Sequence, residues 1–219
     1  MATMLAIGIR ILVAYLLGSL MGGLIVGKLR GGVDIRTQGS GNAGGTNALR
    51  TQGKLFALWV MLIDIGKGVL AVLVVPWFPI PFLHAATQGG MSLGWISALC
   101  GIAVIVGHVY PVFFGFRGGK GMATYVGVLA VLSPFALLAA VIVWALSLML
   151  SGYVGLASIL AVWVAPVYVL CTSGFHASVF WFALPMALFI LYTHRGNVVR
   201  MRAGTESRFK RAMLLRRKA

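Results

Sequence analysis

The stretch GMATYVGVLAVLSPFALLAAVIVWALSLML, residues 121–150, decides the fold class of this chain. It contains no Asp, Glu, Lys or Arg, and the charge-free segment continues to His194. Apolar runs long enough to cross a bilayer recur along the 219 residues. Because backbone groups in lipid must find partners within their own segment, such runs fold as helices. The sequence therefore predicts an all-α integral membrane protein.

The composition supports this class and excludes others. Hydrophobic residues make up 60% of the chain and charged residues 10%, whereas soluble domains carry about 25% charged residues. The net charge is +15. Membrane proteins carry their excess of Lys and Arg in cytoplasmic segments, which explains this charge, so we expect no nucleic-acid partner. Cys100 and Cys171 lie in apolar segments and are predicted to be buried, with no disulfide and no metal site.

Breaks that contain charged residues, glycine or proline divide the chain into seven candidate spans. These are residues 4–27, 55–75, 94–115, 122–132, 136–150, 155–171 and 176–193. The first lacks the charged start and the cleavage site of a signal peptide, so we expect it to be retained.

Lys and Arg concentrate in the break at 28–54, in the break at 116–121 and after Thr193, whereas the break at 76–93 has none. The positive-inside rule then predicts an external N-terminus and a cytoplasmic C-terminus. We expect one membrane domain over residues 1–219, which ends in a basic tail at about 200–219, solvated beyond Arg208.

The break at 28–54 carries the first polar motif, RTQGSGNAGGTNALR, which we call the first loop (residues 36–50). Its glycines let backbone amides converge on an anion, and the short polar side chains add donors. The Arg50 guanidinium suits a phosphate. The predicted ligands are Gly39, Ser40, Gly41, Asn42, Thr46, Asn47 and Arg50. An ordinary glycine and asparagine turn with cytoplasmic charge is the alternative.

The second motif is GHVYPVFFGFRGGKGMAT, which we call the second loop (residues 107–124). A helix that follows Gly121 would direct its N-terminal amides and dipole towards the same anion as Lys120. The motif is not a Walker A sequence, so no nucleotide is implied. The predicted ligands are Gly118, Gly119, Lys120, Gly121 and Thr124. A glycine turn with two interfacial cations is the alternative, and His108 is either structural or catalytic.

The third motif is THRGNVVRMRAGTE, which we call the third segment (residues 193–206). His194, Arg195 and Asn197 are its predicted ligands, and Ser158 joins them from the break near residue 151. A solvated basic tail is the alternative for the segment. Asp64 and Lys67 are neighbours on one helix face, which favours a structural ion pair over a polar path for a proton or substrate.

GSGNAGGTNALR, GHVYPVFFGFRGGKGMAT and HRGNVVRMRAGTE, in that order, resemble the bacterial membrane acyl-phosphate:glycerol-3-phosphate acyltransferases, the PlsY family. DIGKG at 64–68 also resembles that family, and the likeness extends from Gly39 to Glu206. Two positions depart from its pattern: Gly45 stands where Ala is usual, and Gly155 stands where Ser is common.

The resemblance implies transfer of a fatty acyl group from acyl phosphate to the 1-hydroxyl of glycerol 3-phosphate. The products are lysophosphatidic acid and phosphate, and the reaction opens bacterial phospholipid synthesis. It implies a cytoplasmic-side site in the inner membrane and no cofactor. Membrane lipids and the soluble enzyme that makes acyl phosphate are the further expected partners.

The residues expected to carry the reaction are Ser40, Arg50, His108 and Lys120. Arg50 and Lys120 would hold phosphate, while the amides of Gly118, Gly119 and Gly121 would stabilise developing charge. The donor phosphate would take the hydroxyl proton, since no cytoplasmic carboxylate is positioned to do so; His108 as base is the competing hypothesis.

Two other functional classes differ from an acyltransferase in the residues that they need. An anion or phospholipid transporter remains an alternative, although such proteins usually place polar or broken helices near the midplane. A phosphotransferase that acts on CDP-alcohols needs several metal-binding aspartates, and this chain has too few carboxylates.

Overall fold

In the computed structural model, which describes residues 2–77 and 92–214, all the regular structure of these residues is helical. The α-helices are α1 (Ala2–Gly18), α2 (Gly22–Leu29), α3 (Gly45–Gln52), α4 (Lys54–Leu73), α5 (Leu93–Val109), α6 (Met122–Leu132), α7 (Pro134–Ser151), α8 (Val154–Ser173), α9 (Ser178–Thr193) and α10 (Arg195–Arg202). Most of the predicted break at 76–93 lies outside the described residues. The chain forms two compact units, Met1–Leu132 (unit 1) and Ser133–Ala219 (unit 2).

Within the described residues, four helical segments are long and apolar enough to cross a membrane. They are Lys54–Trp77, Leu93–Phe114, Pro134–Ser151 and Val154–Ser173, and the bent pair α1 and α2 adds a fifth if the two helices form one span. The shorter apolar helices α6 and α9 coincide with two further predicted spans. The helical class is confirmed, while the count of seven spans and their orientation stay predictions.

The first predicted span differs from expectation, because it is two helices bent by 47° rather than one. The cause is the polar pair on α4. The Lys67 ammonium donates to the carbonyls of Gly18 and Leu20, both at 2.8 Å. The Asp64 carboxylate accepts from the amide of Gly22 at 3.1 Å. Side chains that take over the backbone groups of a helix in this way produce a kink.

Unit 1 is organised around α4, which packs against α1, α2, α3, α5 and α6. Its core includes fully buried apolar side chains such as Phe56 and Val60. The first loop lies between α2 and α4, and the second loop lies between α5 and α6. The helices that flank both loops therefore pack against α4 or include it.

Unit 2 contains α7, α8 and α9, which pack in sequence, while α10 contacts α8 and α9. The tail beyond Arg208 is predicted to be solvated, and in its described part Phe209, Lys210 and Leu214 are exposed. This part of the tail is nevertheless attached to the rest of unit 2. The amide of Phe209 donates to Gly152 at 2.7 Å, and that of Leu214 donates to Met149 at 3.1 Å. The Arg208 guanidinium lies 4.7 Å from the centre of the Tyr153 ring. Backbone hydrogen bonds therefore fasten this part of the tail to the end of α7.

The prediction for the two cysteines is half right. Cys100 is buried in α5, whereas Cys171 is exposed. The reason is its place in the last turn of α8, where residues 170–173 are all exposed.

Candidate active site

The first loop is shaped by one buried amide side chain, that of Asn47. Its Nδ2 donates to the carbonyls of Ile35 at 2.9 Å, Gln38 at 3.0 Å and Asn42 at 3.0 Å. Its Oδ1 accepts from the amide of Ser40 at 2.9 Å. Asn47 is 2% exposed, so its buried side chain holds the backbone of the loop in place through these hydrogen bonds. Its predicted role as a ligand stays a prediction.

The other predicted ligands of the first loop lie towards the surface. Those exposed to solvent are Gly39, Ser40, Gly41, Thr46 and Arg50, and Asn42 is partly buried. Gly44 precedes α3, and Arg50 lies in the last turn of that helix. The loop therefore presents hydroxyls and a guanidinium outwards while Asn47 holds its backbone from beneath.

The second loop lies directly against the end of α5. The amide of Gly118 donates to the carbonyl of Val109, and the amide of Gly119 donates to that of His108, both at 3.1 Å. A Cβ at Gly119 would collide with Nε2 of His108, so only glycine fits this contact. The expectation that the amides of Gly118 and Gly119 stabilise developing charge is wrong for this conformation, because both are already hydrogen-bonded within the fold.

The remaining predicted ligands of the second loop lie where it enters α6. Lys120 is partly buried, and Gly121, with a φ of +86°, accepts a hydrogen bond from the amide of Tyr125 at 2.8 Å. Lys120 thus immediately precedes the first turn of a helix, as predicted. Thr124 is fully buried and lies on the side of α6 that packs against α4.

Arg36 joins the two loops. Its Nη1 donates to the carbonyls of Phe114 at 3.1 Å and Arg117 at 3.0 Å. Its Nε and Nη2 donate to the Asp34 carboxylate at 3.0 and 2.8 Å. These hydrogen bonds from Arg36 lower the pKa of the Asp34 carboxyl below its ordinary value, so the pair stays ionised at neutral pH. Arg36 therefore holds the first and second loops side by side. This agrees with the expectation that both loops lie on the same side of the membrane.

His108 lies beneath the second loop and is 2% exposed. Its Nδ1 is 3.4 Å from Oδ1 of Asp64, and its Nε2 faces Gly119. Asp64 in turn lies 2.9 Å from the Lys67 ammonium, which confirms the predicted ion pair. Three polar side chains thus connect the kink between α1 and α2 to the second loop.

Unit 2 holds the predicted ligands of the third segment, together with Ser158. His194 is buried, and its Nδ1 lies 2.8 Å from the carbonyl of Ile190. Asn197 donates through Nδ2 to Glu206 at 2.8 Å, and Glu206 accepts from Nε of Arg200 at 2.6 Å. Glu206 therefore orders the end of α10 around Asn197.

The other two predicted ligands of unit 2 have different settings. Ser158 is buried and accepts from the indole nitrogen of Trp144 at 3.4 Å. Arg195 is exposed and stacks over Tyr192, with 4.1 Å between the guanidinium carbon and the ring centre. Both stay predicted ligands.

The departure at Gly155 has a structural reason. A Cβ at this position would lie 2.8 Å from Nδ2 of Asn197 and 2.9 Å from its Cβ. Glycine therefore makes the space that the Asn197 side chain occupies.

Sequence reasoning missed three features. It did not pair His108 with Asp64, which lie on different helices, and it did not assign a role to Arg36. It also passed over Arg10, which is 6% exposed within α1 and donates to the carbonyl of Pro76 at 3.0 Å. A charged residue inside an apolar span is a signal that could have identified Arg10.

Comparison with known proteins decides the family. A family model described as glycerol-3-phosphate acyltransferase matches residues 8–204, which contain the first two motifs and all but the last two residues of the third. The chain belongs to the glycerol-3-phosphate acyltransferase family. This membership confirms the resemblance that the motifs indicate.

Relatives in this acyltransferase family match along nearly their whole lengths. The glycerol-3-phosphate acyltransferase of Aquifex aeolicus is 39% identical over 91% of this chain and 97% of its own length. That of Halalkalibacterium halodurans is 40% identical over 90% of this chain and 93% of its own.

Solved structures agree with the family assignment. The crystal structure of PlsY, an integral membrane glycerol 3-phosphate acyltransferase, in its glycerol 3-phosphate form is 37% identical to this chain with a TM-score of 0.79. It covers 93% of this chain and 95% of that one. The lysophosphatidic acid form has a TM-score of 0.77 at 35% identity and covers 92% and 94%. The chain is accordingly an integral membrane protein of this family.

Proposed function

We propose that this protein transfers a fatty acyl group from an acyl phosphate to the 1-hydroxyl of sn-glycerol 3-phosphate. The products are lysophosphatidic acid and inorganic phosphate. The observation that carries the proposal is the set of hydrogen bonds by which Arg36 holds the two glycine-rich loops together. One loop brings Arg50 and the other brings Lys120, and both proposed substrates carry a phosphate. Membership of the family supports the choice of acceptor.

The reaction needs little help from a protein base. The hydroxyl oxygen of glycerol 3-phosphate attacks the acyl carbonyl carbon, and the bond from that carbon to the phosphate oxygen breaks. The hydroxyl proton passes to an oxygen of the departing phosphate. Acyl phosphate is an activated anhydride, so the protein contributes mainly by positioning the reactants and by stabilising charge. Arg50 and Lys120 hold the phosphates in this scheme, and Ser40 adds a donor.

His108 as general base is the competing hypothesis. Its side chain is 2% exposed and packed between Asp64 and Gly119, which favours a role in positioning the second loop. We expect His108→Gln to retain glycerol 3-phosphate binding and to reduce kcat by about tenfold or less, since no proton-transfer step is lost. A loss of several orders of magnitude in kcat with unchanged binding of both substrates would instead make His108 the base.

The setting follows from the same proposal. The loops and the basic third segment face the cytoplasm, in the bacterial cytoplasmic (inner) membrane, as their positive charge favours. Glycerol 3-phosphate then reaches the site from water and the acyl chain from the bilayer. His194, Arg195, Asn197 and Ser158 are proposed as further substrate contacts. The soluble enzyme that makes acyl phosphate is proposed as a further partner, and the proposed reaction uses no cofactor.

The test is the formation of lysophosphatidic acid by the purified protein in lipid. Glycerol 3-phosphate is supplied with palmitoyl phosphate in one reaction and with palmitoyl-CoA in another. We expect product from palmitoyl phosphate only, with one phosphate released per product. Product only from the thioester would contradict the donor. No product from either, with a folded and monodisperse sample, would favour the transporter.

A further inference from the structure

One turn of the second loop, residues 110–117, exposes large apolar side chains, and we call it the aromatic turn. Phe113 is 56% exposed and Phe116 is 57% exposed, and Arg117 beside them is also exposed. The three acidic residues of the chain each pair with another cation. Among the described residues, Arg117 therefore has no carboxylate as a partner, and the turn presents two aromatic rings and one cation on the surface.

Phe116 has a backbone conformation that large side chains rarely adopt. Among the described residues, it alone combines a positive φ, of +58°, with a side chain. Glycine adopts such a conformation without strain, whereas a bulky residue there is an outlier. Outliers of this kind concentrate at functional sites. Because Phe116 is more than half exposed, packing inside the protein does not explain why an aromatic ring occupies this position.

Hydrogen bonds fix the aromatic turn in place. The amide of Phe116 donates to the carbonyl of Pro111 at 2.9 Å. The amide of Val112 donates to Oγ of Ser19, just after the end of α1, at 3.3 Å. Arg36 donates to two further carbonyls of the turn. The two exposed rings are therefore carried by a backbone that is held from both sides.

The helices that carry the turn indicate its level in the membrane. Helix α5 has 17 residues and rises about 26 Å, which is close to the hydrocarbon thickness of about 30 Å. A turn at the end of α5 therefore lies near the headgroups. Ser19, to which the turn is bound, is followed by Leu20, which is exposed like Val13 two turns earlier on α1. An exposed apolar surface of this candidate span thus reaches the aromatic turn.

We propose that the aromatic turn inserts Phe113 and Phe116 into the headgroup layer of the membrane and that Arg117 binds anionic headgroups there. Aromatic side chains concentrate at the level of the headgroups, and Lys and Arg near the surface are attracted to anionic lipid. Insertion removes the two rings from water, which is favourable for apolar surface. It also anchors the second loop, and Lys120 with it, at the membrane surface.

A soluble protein is the other occupant that exposed aromatic and arginine side chains suit. The position of the turn at the end of a span, next to the exposed surface of α1, favours lipid. The inference does not rest on the proposed reaction, so its test needs no substrate.

The experiment measures the depth of the turn in a bilayer. Phe113→Cys and Phe116→Cys are made in the full-length protein without Cys100 and Cys171, and each is labelled with a nitroxide. The protein is placed in vesicles of phosphatidylethanolamine and phosphatidylglycerol. Molecular oxygen concentrates in lipid, whereas a nickel chelate stays in water. The measured quantity is the ratio of the collision rates of the nitroxide with oxygen and with the chelate.

Two reference positions set the scale of this ratio. Ile142→Cys, on the exposed face of α7, reports lipid, and Thr205→Cys, exposed after α10, reports water. We expect the ratios at positions 113 and 116 to exceed that at 205 severalfold and to stay below that at 142.

The role of Arg117 is tested in the same labelled proteins. We expect the ratios at 113 and 116 to fall when phosphatidylcholine replaces phosphatidylglycerol, because the anionic headgroups are then absent. Arg117→Gln lowers the ratios in the original vesicles, whereas Arg30→Gln, which removes the same charge from the break at 28–54, leaves them unchanged. Equal ratios in the two kinds of vesicle would overturn the binding of anionic headgroups.

Phe116→Gly separates an external contact from packing within the protein. Glycine relieves the backbone at this position, so we expect the unfolding temperature in detergent to stay the same or to rise. A clear fall would mean that the ring packs within the protein, which would contradict the insertion of Phe116.

Ratios at 113 and 116 equal to that of Thr205→Cys would overturn the inference, because the turn would then lie in water and be open to a soluble protein. Should Phe116→Cys fail to fold, the result for Phe113→Cys decides.

Discussion

Asp64 is in contact with Lys67, which binds the end of α1, and with His108, which lies beneath the second loop. The carboxylate is fully buried, and it is balanced by Lys67, which is 3% exposed. Lys67 also holds two carbonyls at the end of α1. A buried charge without its partner is costly, whereas a paired and hydrogen-bonded one is tolerated. The pair is therefore structural. Asp64 also lies beside His108, and the His108 ring packs against the second loop, so the pair supports the position of that loop.

This role predicts a specific stability pattern. Lys67→Met leaves the Asp64 carboxylate unpaired, and we expect it to destabilise the protein by about 3–5 kcal/mol. The double variant Asp64→Asn with Lys67→Met removes both charges and recovers part of that loss. Thermal unfolding in detergent measures both. A Lys67→Met variant that unfolds at the temperature of the original protein would refute the structural role.

Residues close in the chain were predicted more successfully than distant ones. Asp64 and Lys67 are three positions apart on a helix, so their contact follows from helical geometry. His108 lies on another helix, and its contact with Asp64 depends on how α4 and α5 pack. Asn47 was recognised as a polar member of a glycine loop, but its four hydrogen bonds depend on the final backbone path.

Among the elements, the two loops of unit 1 depend on one another through Arg36. Its guanidinium is shared between Asp34 in its own segment and two carbonyls of the second loop. Sequence pattern predicted that the loops share a face, but not which side chain joins them. Backbone carbonyls carry no residue-specific signal, so such a contact is visible only in three dimensions.

We expect Arg36→Gln to raise KM for glycerol 3-phosphate by about tenfold, since it removes charge-assisted hydrogen bonds. Arg30→Gln is the matched control, because it removes the same charge from the same break. Steady-state kinetics with acyl phosphate at saturation separates KM from kcat. Equal effects of the two substitutions would mean that only net charge matters.

The pH dependence of this link follows from Asp34. Its folded-state pKa lies below the ordinary value of 3.8, mainly because Arg36 donates to it. Its contribution to stability is therefore present above that ordinary value and is lost as the pH falls through the folded-state pKa. Between about pH 5 and pH 8 the link should not change. Loss of activity within that range would have to come from another group.

At the scale of the whole molecule, composition predicted the class but not the number of membrane crossings. The low charge content and the apolar runs suffice for a helical membrane protein. The count depends on short helices such as α6, which has 11 residues. A helix of that length rises about 17 Å, less than the hydrocarbon thickness of about 30 Å. Sequence alone cannot say how such a segment is placed.

Orientation is testable by labelling single cysteines in a background without Cys100 and Cys171. Ser92→Cys lies at the start of α5, on the predicted outer side, and Thr205→Cys lies in the third segment. Because positive segments stay inside, we expect a membrane-impermeant maleimide to label Ser92→Cys in intact cells. Thr205→Cys should react only after permeabilisation. The reverse pattern would invert the proposed topology.

The most direct test of the central claim is kcat/KM for Lys120→Ala with glycerol 3-phosphate and palmitoyl phosphate. We expect a loss of about 100-fold or more, the size typical for removal of a group that stabilises reaction charge, at an unchanged unfolding temperature. Lys28→Ala, from the other basic break, should stay within about twofold. Retention of the original kcat/KM by Lys120→Ala would contradict a phosphate site on the second loop.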